Sequence, residues 1–192
     1  MKPGRRALGI AASDRDRLSH LAGAVVRADR VVDGFVFGTC TVGGRDATAA
    51  VCEMFDRLDR EDLGYLFLAG IAPAWFNLLD LHAVRDHTGL PTLSISFEAS
   101  PGLEEAIRDA LDDETAIEDR LSTYRAQPDR RELSVDDETV FVRSVGLDPD
   151  EAADVVRAYT PTGGRPEPLR VARLAARAVA ERETRSAANS ER

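Results

Sequence analysis

Five carboxylates in this sequence stand where a strand is predicted to end or a helix to begin. They are Asp14, Asp46, Asp80, Glu98 and Glu167. Loops at strand ends are where α/β proteins place ligand sites, and carboxylates gathered there can bind a divalent metal ion that activates water against a phosphodiester. The pattern is consistent with metal-dependent cleavage of nucleic acid, or with carboxylates that only cap helices and charge the surface.

The charge balance weakens any inference from a single carboxylate. The 192-residue chain has 34 Asp and Glu against 25 Lys and Arg, and Lys2 is its one lysine. Such an acidic surface is typical of proteins that stay soluble in high salt, where charge repulsion is screened, so we expect a halophilic origin. Net negative charge also argues against broad, nonspecific binding to nucleic acid, which normally uses a basic patch, although high salt weakens that argument.

The cysteines and histidines show no metal-binding pattern. Cys40 and Cys52 lie among apolar neighbours without zinc-site spacing, which favours buried free thiols over a disulfide. His20, His82 and His87 share no motif. The sequence shows no signal peptide and no apolar run of membrane length. We therefore expect a cytoplasmic protein without a membrane partner.

A second group of residues that could bind a ligand follows the apolar run near the middle of the chain. That run stops at Gly70 and predicts a strand buried on both faces, after which come Trp75, Phe76, Asn77 and Asp80. The two aromatic residues could stack on a base or seal the core beneath the loop. Asn77 and Asp80 lie three residues apart on a predicted helix, so both could face one cleft. The alternative is a helix cap followed by a surface acid.

The remaining pattern predicts the elements that position these side chains. We expect one domain over residues 1–182 and a disordered polar tail over residues 183–192. The predicted strands cover residues 7–12, 21–27, 31–42, 65–69 and 92–97, with short strand material near residues 135 and 139–142. The predicted helices cover residues 46–58, 77–88, 148–159 and 169–182, with a further helical pattern over residues 101–125.

This order of elements resembles the ribonuclease H-like arrangement of an α/β protein. Its mixed sheet has an antiparallel three-stranded start that continues into parallel strands through helical crossovers, and helices cover both faces. The strand over residues 92–97 alternates apolar and polar residues, which predicts that it is half-exposed.

Pro166-Glu-Pro-Leu-Arg170 is the most specific short motif. Two prolines fix the backbone before a helix, so they would hold Glu167 and Arg170 in definite directions. The two side chains could pair with each other and anchor the last helix, or they could present a carboxylate and a guanidinium to a phosphate.

Several motifs together resemble the endonuclease dU family of archaea, which is similar in fold to endonuclease V. They match in order from about residue 5 to residue 182 and comprise Gly9-Ile10, Val32-Asp-Gly34, Gly44-Arg-Asp-Ala-Thr48, Gly70-Ile71, Phe76-Asn77 with Asp80, Thr88-Gly-Leu-Pro91 and Pro166-Glu-Pro-Leu-Arg170. The resemblance implies a metal-dependent nuclease of DNA repair that nicks DNA containing deoxyuridine.

The sequence departs from that family pattern at the expected metal ligands. Ala11 stands where the family has an aspartate in the first strand, and Ala69 stands where it has an aspartate at a strand end. Gly43 likewise replaces an aspartate, and Arg173 replaces a histidine after the proline motif. Alanine cannot bind Mg²⁺, so the resemblance implies a metal site that has lost part of its negative charge. Asp14 could substitute for the aspartate at Ala11 only if the strand end bends back.

Two hypotheses follow from the residues and the resemblance. In the first, the protein nicks deoxyuridine-containing DNA with Mg²⁺ or Mn²⁺. The expected catalytic residues are Asp46, Asp14 and Glu167, of which Asp46 and Glu167 bind the metal; the expected substrate-binding residues are Arg170 at a phosphate, Trp75 and Asn77 at an extruded base, and Asp80. In the second, the protein is a catalytically inactive paralogue without a cofactor that binds nucleic acid or another protein.

Overall fold

A computed structural model of the protein describes residues 4–190, with side chains described through residue 183. It contains one seven-stranded sheet in the order β3-β2-β1-β4-β5-β7-β6. The strands are β1 (Arg6–Arg15), β2 (Leu18–Arg27), β3 (Val32–Thr41), β4 (Leu63–Ala69), β5 (Thr92–Ser96), β6 (Arg131–Val135) and β7 (Glu138–Val145). The first three strands are antiparallel, whereas β1, β4 and β5 run parallel. This confirms the predicted mixed α/β sheet with its antiparallel start.

Seven helices accompany the sheet in the described part of the chain. They are α1 (Ala47–Leu58), α2 (Pro73–Phe76), α3 (Leu81–Thr88), α4 (Glu104–Ala110), α5 (Glu114–Arg125), α6 (Pro149–Tyr159) and α7 (Glu167–Ser190). Side chains alternate along β1, so Leu8 joins the core beneath α1 and α3 while Ala7 joins the core beneath α6 and α7. Helices therefore cover both faces, as predicted.

Helix α7 lies against β1 at unusually close range. A Cβ atom at Gly9 would stand 2.5 Å from the Pro168 carbonyl oxygen, so only a glycine admits the helix there. Ala11 and Ala172 meet in one buried cluster further along both elements. Because contacts advance along both elements together, α7 runs parallel to β1 and continues toward the carboxyl end of that strand.

Three predicted features differ from the structure. Strand β5 is buried along most of its length, because helices cover both faces of the sheet. Thr92 and Ser94 are as buried as the apolar residues of the same strand. The helix predicted from residue 77 begins at Leu81, where the Asp80 carboxylate accepts hydrogen bonds from the amides of His82 and Ala83.

Helix α7 also continues to Ser190, past the predicted end at residue 182. That the tail is disordered stays a prediction. Residues 191–192 of the predicted tail lie outside the described residues.

The two cysteines are free, as predicted: Cys40 is buried and Cys52 is half-buried. Within the described residues, no helix is long and apolar enough to span a membrane.

Candidate nucleic-acid interface

The carboxyl ends of β1, β4 and β5 meet at one edge of the sheet, which we call the carboxyl edge. Parallel strands in α/β folds place their ligand sites at such an edge. Ala11 and Ala69 lie there and pack with Ala172 of α7 in a small apolar cluster. Two of the three positions at which the family resemblance implied aspartates are therefore filled by buried or partly buried methyl groups.

Asp46 lies beside this edge, and its carboxylate is already fully engaged. It accepts hydrogen bonds from the Thr41 amide at 3.0 Å and from the Thr41 hydroxyl at 2.8 Å. It also accepts one from Nδ2 of Asn77 at 2.6 Å. Burial opposes the charged form, but these hydrogen bonds outweigh it and lower the pKa of Asp46. The carboxylate ties β3 to the loop before α3, although it precedes α1 without bonding to an amide of that helix.

Asn77 supplies the cap that the sequence assigned to Asp46. Its Oδ1 accepts a hydrogen bond from the Ala47 amide at 3.0 Å, and its Nδ2 also donates to the Thr41 carbonyl at 2.8 Å. The side chain is fully buried. The prediction that Asn77 and Asp80 share one helix is wrong, because Asn77 precedes α3 and Asp80 is its N-cap. Both polar groups of Asn77 are used within the protein.

Two of the other predicted acidic residues have hydrogen-bond partners of their own. The Asp14 carboxylate accepts a hydrogen bond from the Ser19 hydroxyl at 2.6 Å, across the β1–β2 hairpin. Glu167 pairs with Arg170 through two hydrogen bonds of 2.6 and 2.7 Å. This pair, together with the nearby charge of Arg30, lowers the pKa of Glu167. Arg30 belongs to the turn after β2, at the opposite edge of the sheet, so Glu167 lies away from Asp46.

These placements do not fit a divalent metal ion. Across the described side chains, no group of three or more His, Cys, Asp or Glu residues could hold one. Magnesium requires oxygen ligands around a nearly octahedral ion, whereas Asp46, Asp14 and Glu167 each satisfy a separate hydrogen-bond partner. The predicted metal pair of Asp46 and Glu167 is not brought together.

The loop between β4 and α3 presents an aromatic side chain on a strained backbone. Ala74, Trp75 and Phe76 have φ values of 51°, 52° and 58°, in the left-handed region that non-glycine residues rarely adopt. Such conformations cost about 1–3 kcal/mol each and concentrate at functional sites. Phe76 packs beside the core cluster under α4 and α5, whereas Trp75 is 50% exposed. Of the two predicted roles, Phe76 therefore has the one of sealing the core. The exposed ring of Trp75 leaves the other role, stacking on a base, open to it.

Arg120 holds this loop in place, and sequence reasoning missed it. The side chain is 6% exposed; its Nε donates to the Phe76 carbonyl at 3.0 Å, and its Nη2 donates to the Gly43 carbonyl at 2.5 Å. Burial, followed by the positive charge of Arg45, lowers the pKa of Arg120. The available signal was its position next to Leu121 on the apolar side of a helix, where a charged residue needs partners.

Replacing Arg120 with alanine should lower the free energy of unfolding by about 2 kcal/mol, since buried carbonyl groups lose a charged donor. The matched control is Arg125→Ala on the same helix, whose exposed ion pair with Glu104 should contribute much less. Urea unfolding of the two variants measures the difference. Equal losses would show that Arg120 does not support the loop.

A cleft of about 340 Å³ opens beyond the carboxyl ends of β4 and β5. Its polar lining includes Ser94, Ser96, Glu98, Ser100, Tyr124, Arg130 and Arg143. Arg143 is 8% exposed and donates to the Tyr124 hydroxyl at 3.1 Å and to the Pro128 carbonyl. Arg130 stacks 3.9 Å from the Phe141 ring centre, and its buried Nε has no hydrogen-bond partner. The cleft combines apolar walls with few convergent polar groups, as small-ligand sites do.

Sequence reasoning missed this cleft, with the exception of Glu98 as a candidate. The usable signal was Arg143, a charged residue directly after the apolar run Val140-Phe-Val142 of β7. An arginine buried in a largely apolar strand requires polar partners, so its presence there indicates a polar site nearby.

Comparisons with known proteins agree with this architecture. A sequence model of the family described as Endonuclease dU matches residues 3–180. The UPF0215 protein TK2033 of Thermococcus kodakarensis is 34% identical over 93% of this chain and 94% of its own length. A crystal structure of a protein of unknown function from Archaeoglobus fulgidus is 29% identical, with a TM-score of 0.80 over 91% of this chain and 98% of that one.

The fold extends to a second group of proteins. The crystal structure of Ciona intestinalis endonuclease V, in complex with a 24mer DNA containing an inosine followed by a ribo-adenosine, has a TM-score of 0.59 to this chain. The match covers 93% of this chain and 86% of that chain at 12% identity. The chain shares its fold with endonuclease V.

Proposed function

Because the chain belongs to the Endonuclease dU family, we propose that it binds DNA containing deoxyuridine and recognises the deaminated base at the carboxyl edge of its sheet. Family and fold together suggest a nuclease that acts on DNA. The observation that carries the proposal is the cleft beyond β4 and β5, which lies at this edge and offers polar groups to a small ligand.

An extruded uracil would enter this cleft with its polar edge toward buried donors and acceptors. Enzymes that read a single base commonly turn it out of the duplex and bind its edge by hydrogen bonds. Ser96 and Tyr124 can donate or accept hydrogen bonds, and Arg143 can donate to a uracil carbonyl. Asn77 takes no part, because its amide is fully used within the protein.

Trp75 would support recognition by stacking on a base next to the extruded one. Its ring is half-exposed and lies against Gly43, where a Cβ atom would approach the ring to 2.8 Å. An aromatic face binds any base by stacking, so it contributes affinity without sequence preference. The backbone of Trp75 is held by Arg120 through its neighbours, which keeps the ring in one orientation.

A second candidate function is metal-dependent nicking of the same DNA, which family membership favours. It requires that Asp46, Asp14 and Glu167 leave their present partners and gather around Mg²⁺ or Mn²⁺. The described arrangement does not supply such a site, so binding of the damaged strand is the function that this geometry supports best.

Preference for deoxyuridine can be measured with labelled duplexes that differ only by one deoxyuridine or thymidine. We expect about tenfold tighter binding to the deoxyuridine duplex, because thymine carries one more methyl group than uracil and a close-fitting cleft excludes it at roughly this cost. Ser96→Leu should remove the preference by filling the cleft, whereas the matched control Ser134→Leu on the exposed side of β6 should keep it. Equal affinity of the wild-type protein for the two duplexes would contradict the proposal.

A further inference from the structure

Three arginines lie together where the carboxyl edge meets α7. Arg173 and Arg177 follow Ala172, the residue of α7 that packs on Ala11 near the end of β1. They are four residues apart, which places them on the same side of the helix. The Arg165 guanidinium stacks 3.9 Å from the ring centre of Phe97, the residue that follows β5. We call Arg165, Arg173 and Arg177 the arginine cluster.

The arginine cluster lacks an acidic partner among the side chains that the structure describes. Among the described side chains, none of its three members forms an ion pair or a side-chain hydrogen bond. Elsewhere in this acidic chain, guanidinium groups such as those of Arg60, Arg125 and Arg170 pair closely with a carboxylate. Burial, and then the like charges of Arg173 and Arg177, lower the pKa of Arg165, so the three charges are close enough to repel one another. An anion at this place would relieve that repulsion.

The cluster is also preorganised for binding. The Phe97 ring orients the Arg165 guanidinium through a cation–π contact. A planar guanidinium that is already held in place loses little freedom when it binds a phosphate through two parallel hydrogen bonds. Arg173 and Arg177 are exposed and can approach the same phosphate or the next one along the strand.

The arginine cluster adjoins the positions from which metal ligands are missing. Ala11 and Ala69 leave no carboxylates to hold a cation at the strand ends, and Ala172 of the same apolar cluster directly precedes Arg173. We infer that Arg165, Arg173 and Arg177 bind a DNA backbone phosphate directly, so that this protein holds DNA without a divalent cation. This inference deepens the proposed function, because it assigns the groups that bind the strand next to the extruded base.

The test is binding of a labelled DNA duplex without deoxyuridine to the full chain, measured by fluorescence anisotropy in EDTA and in Mg²⁺ over a series of salt concentrations. We expect the affinity in EDTA to be at least as high as in Mg²⁺ at matched ionic strength, because Mg²⁺ competes with the arginines for the phosphates. The double variant Arg173→Ala/Arg177→Ala should bind at least about tenfold more weakly, and its slope of log affinity against log salt should fall by about 1 for each arginine.

Two variants control for charge and for folding. Arg157→Ala removes an exposed charge from α6, away from the cluster, and should leave both affinity and slope unchanged. Arg173→Lys/Arg177→Lys keeps the charge and should retain most of the salt dependence. Binding that requires Mg²⁺, or an equal loss in Arg157→Ala and in the double alanine variant, would overturn the inference. Cluster-dependent binding without preference for deoxyuridine would support it while refuting the proposed function.

Discussion

Replacing Asn77 with aspartate is expected to lower the free energy of unfolding by about 4 kcal/mol, the range seen when a buried charge is left without compensation. The new carboxylate would lie 2.6 Å from that of Asp46, in place of the amide that now donates to it. It would also face the Thr41 carbonyl, which now accepts from Nδ2. Two like charges would replace the two hydrogen bonds that Nδ2 of Asn77 now donates, at a side chain that is fully buried. Urea unfolding at pH 7 measures the loss.

The pH dependence of this variant identifies the cause. The pKa of Asp46 is lowered in the folded protein, so its stabilising effect is present above the pKa of the unfolded chain and is lost as the pH falls through the folded pKa. In the Asn77→Asp variant, the paired carboxylates repel and one pKa rises. The difference in stability from the wild type should therefore shrink as the pH is lowered and one carboxylate becomes protonated.

The exchange of both residues is the matched control. Asp46→Asn combined with Asn77→Asp restores one amide and one carboxylate, and the carboxylate introduced at position 77 would still accept from the Ala47 amide. The exchange should recover part of the lost stability, which separates charge repulsion from lost packing. If the exchanged variant is as unstable as Asn77→Asp alone, repulsion is not the cause.

A Gly9→Ala substitution should cost about 3 kcal/mol, at the upper end of the usual effect of overpacking. Its Cβ would stand 2.5 Å from both the Cβ and the carbonyl oxygen of Pro168. Backbone atoms cannot rotate aside as a flexible side chain can, so α7 must move away from β1. Because α7 carries two members of the arginine cluster, we expect DNA affinity to fall together with stability.

Gly64→Ala in β4 makes the same chemical change at a tolerant site. The three atoms nearest to its Cβ would all belong to the Arg5 side chain, which is flexible and can shift, so the loss should stay below about 1 kcal/mol. Thermal unfolding of the two variants compares them directly. A loss in Gly64→Ala that equals the loss in Gly9→Ala would show that close contact between α7 and β1 is not what limits stability.

The fold could be predicted because it follows from local pattern. The apolar run before Gly70 predicted a strand with helices on both faces, and Asp148 with Pro149 predicted the start of α6, which a capping box stabilises. The half-exposed assignment of β5 failed because Thr92 and Ser94 are small enough to be buried under helices. Periodicity shows polarity but not what covers a strand.

The candidate site was harder to predict because its contacts join distant parts of the chain. Asn77 bonds to Ala47 and Thr41, and Arg120 bonds to Gly43. Spacing in the sequence gives no indication of such pairs. Asp46 was therefore expected to be a metal ligand or a cap, although its carboxylate joins β3 to the loop before α3. The alanines at the strand ends were visible in the sequence, but only the structure shows that Ala172 packs against them beside the arginine cluster.

The strand ends of this fold carry alanine in place of acidic metal ligands. We infer that the protein therefore binds DNA through arginines. The most direct test measures DNA cleavage and binding affinity in the same samples. Each sample contains a deoxyuridine-containing duplex with EDTA, Mg²⁺ or Mn²⁺. We predict an affinity in EDTA at least as high as in Mg²⁺ or Mn²⁺, and an uncut duplex in all three conditions. Nicking that needs Mg²⁺ or Mn²⁺ and disappears in an Asp46→Asn variant that remains folded would contradict binding without a divalent cation. It would establish a metal-dependent endonuclease.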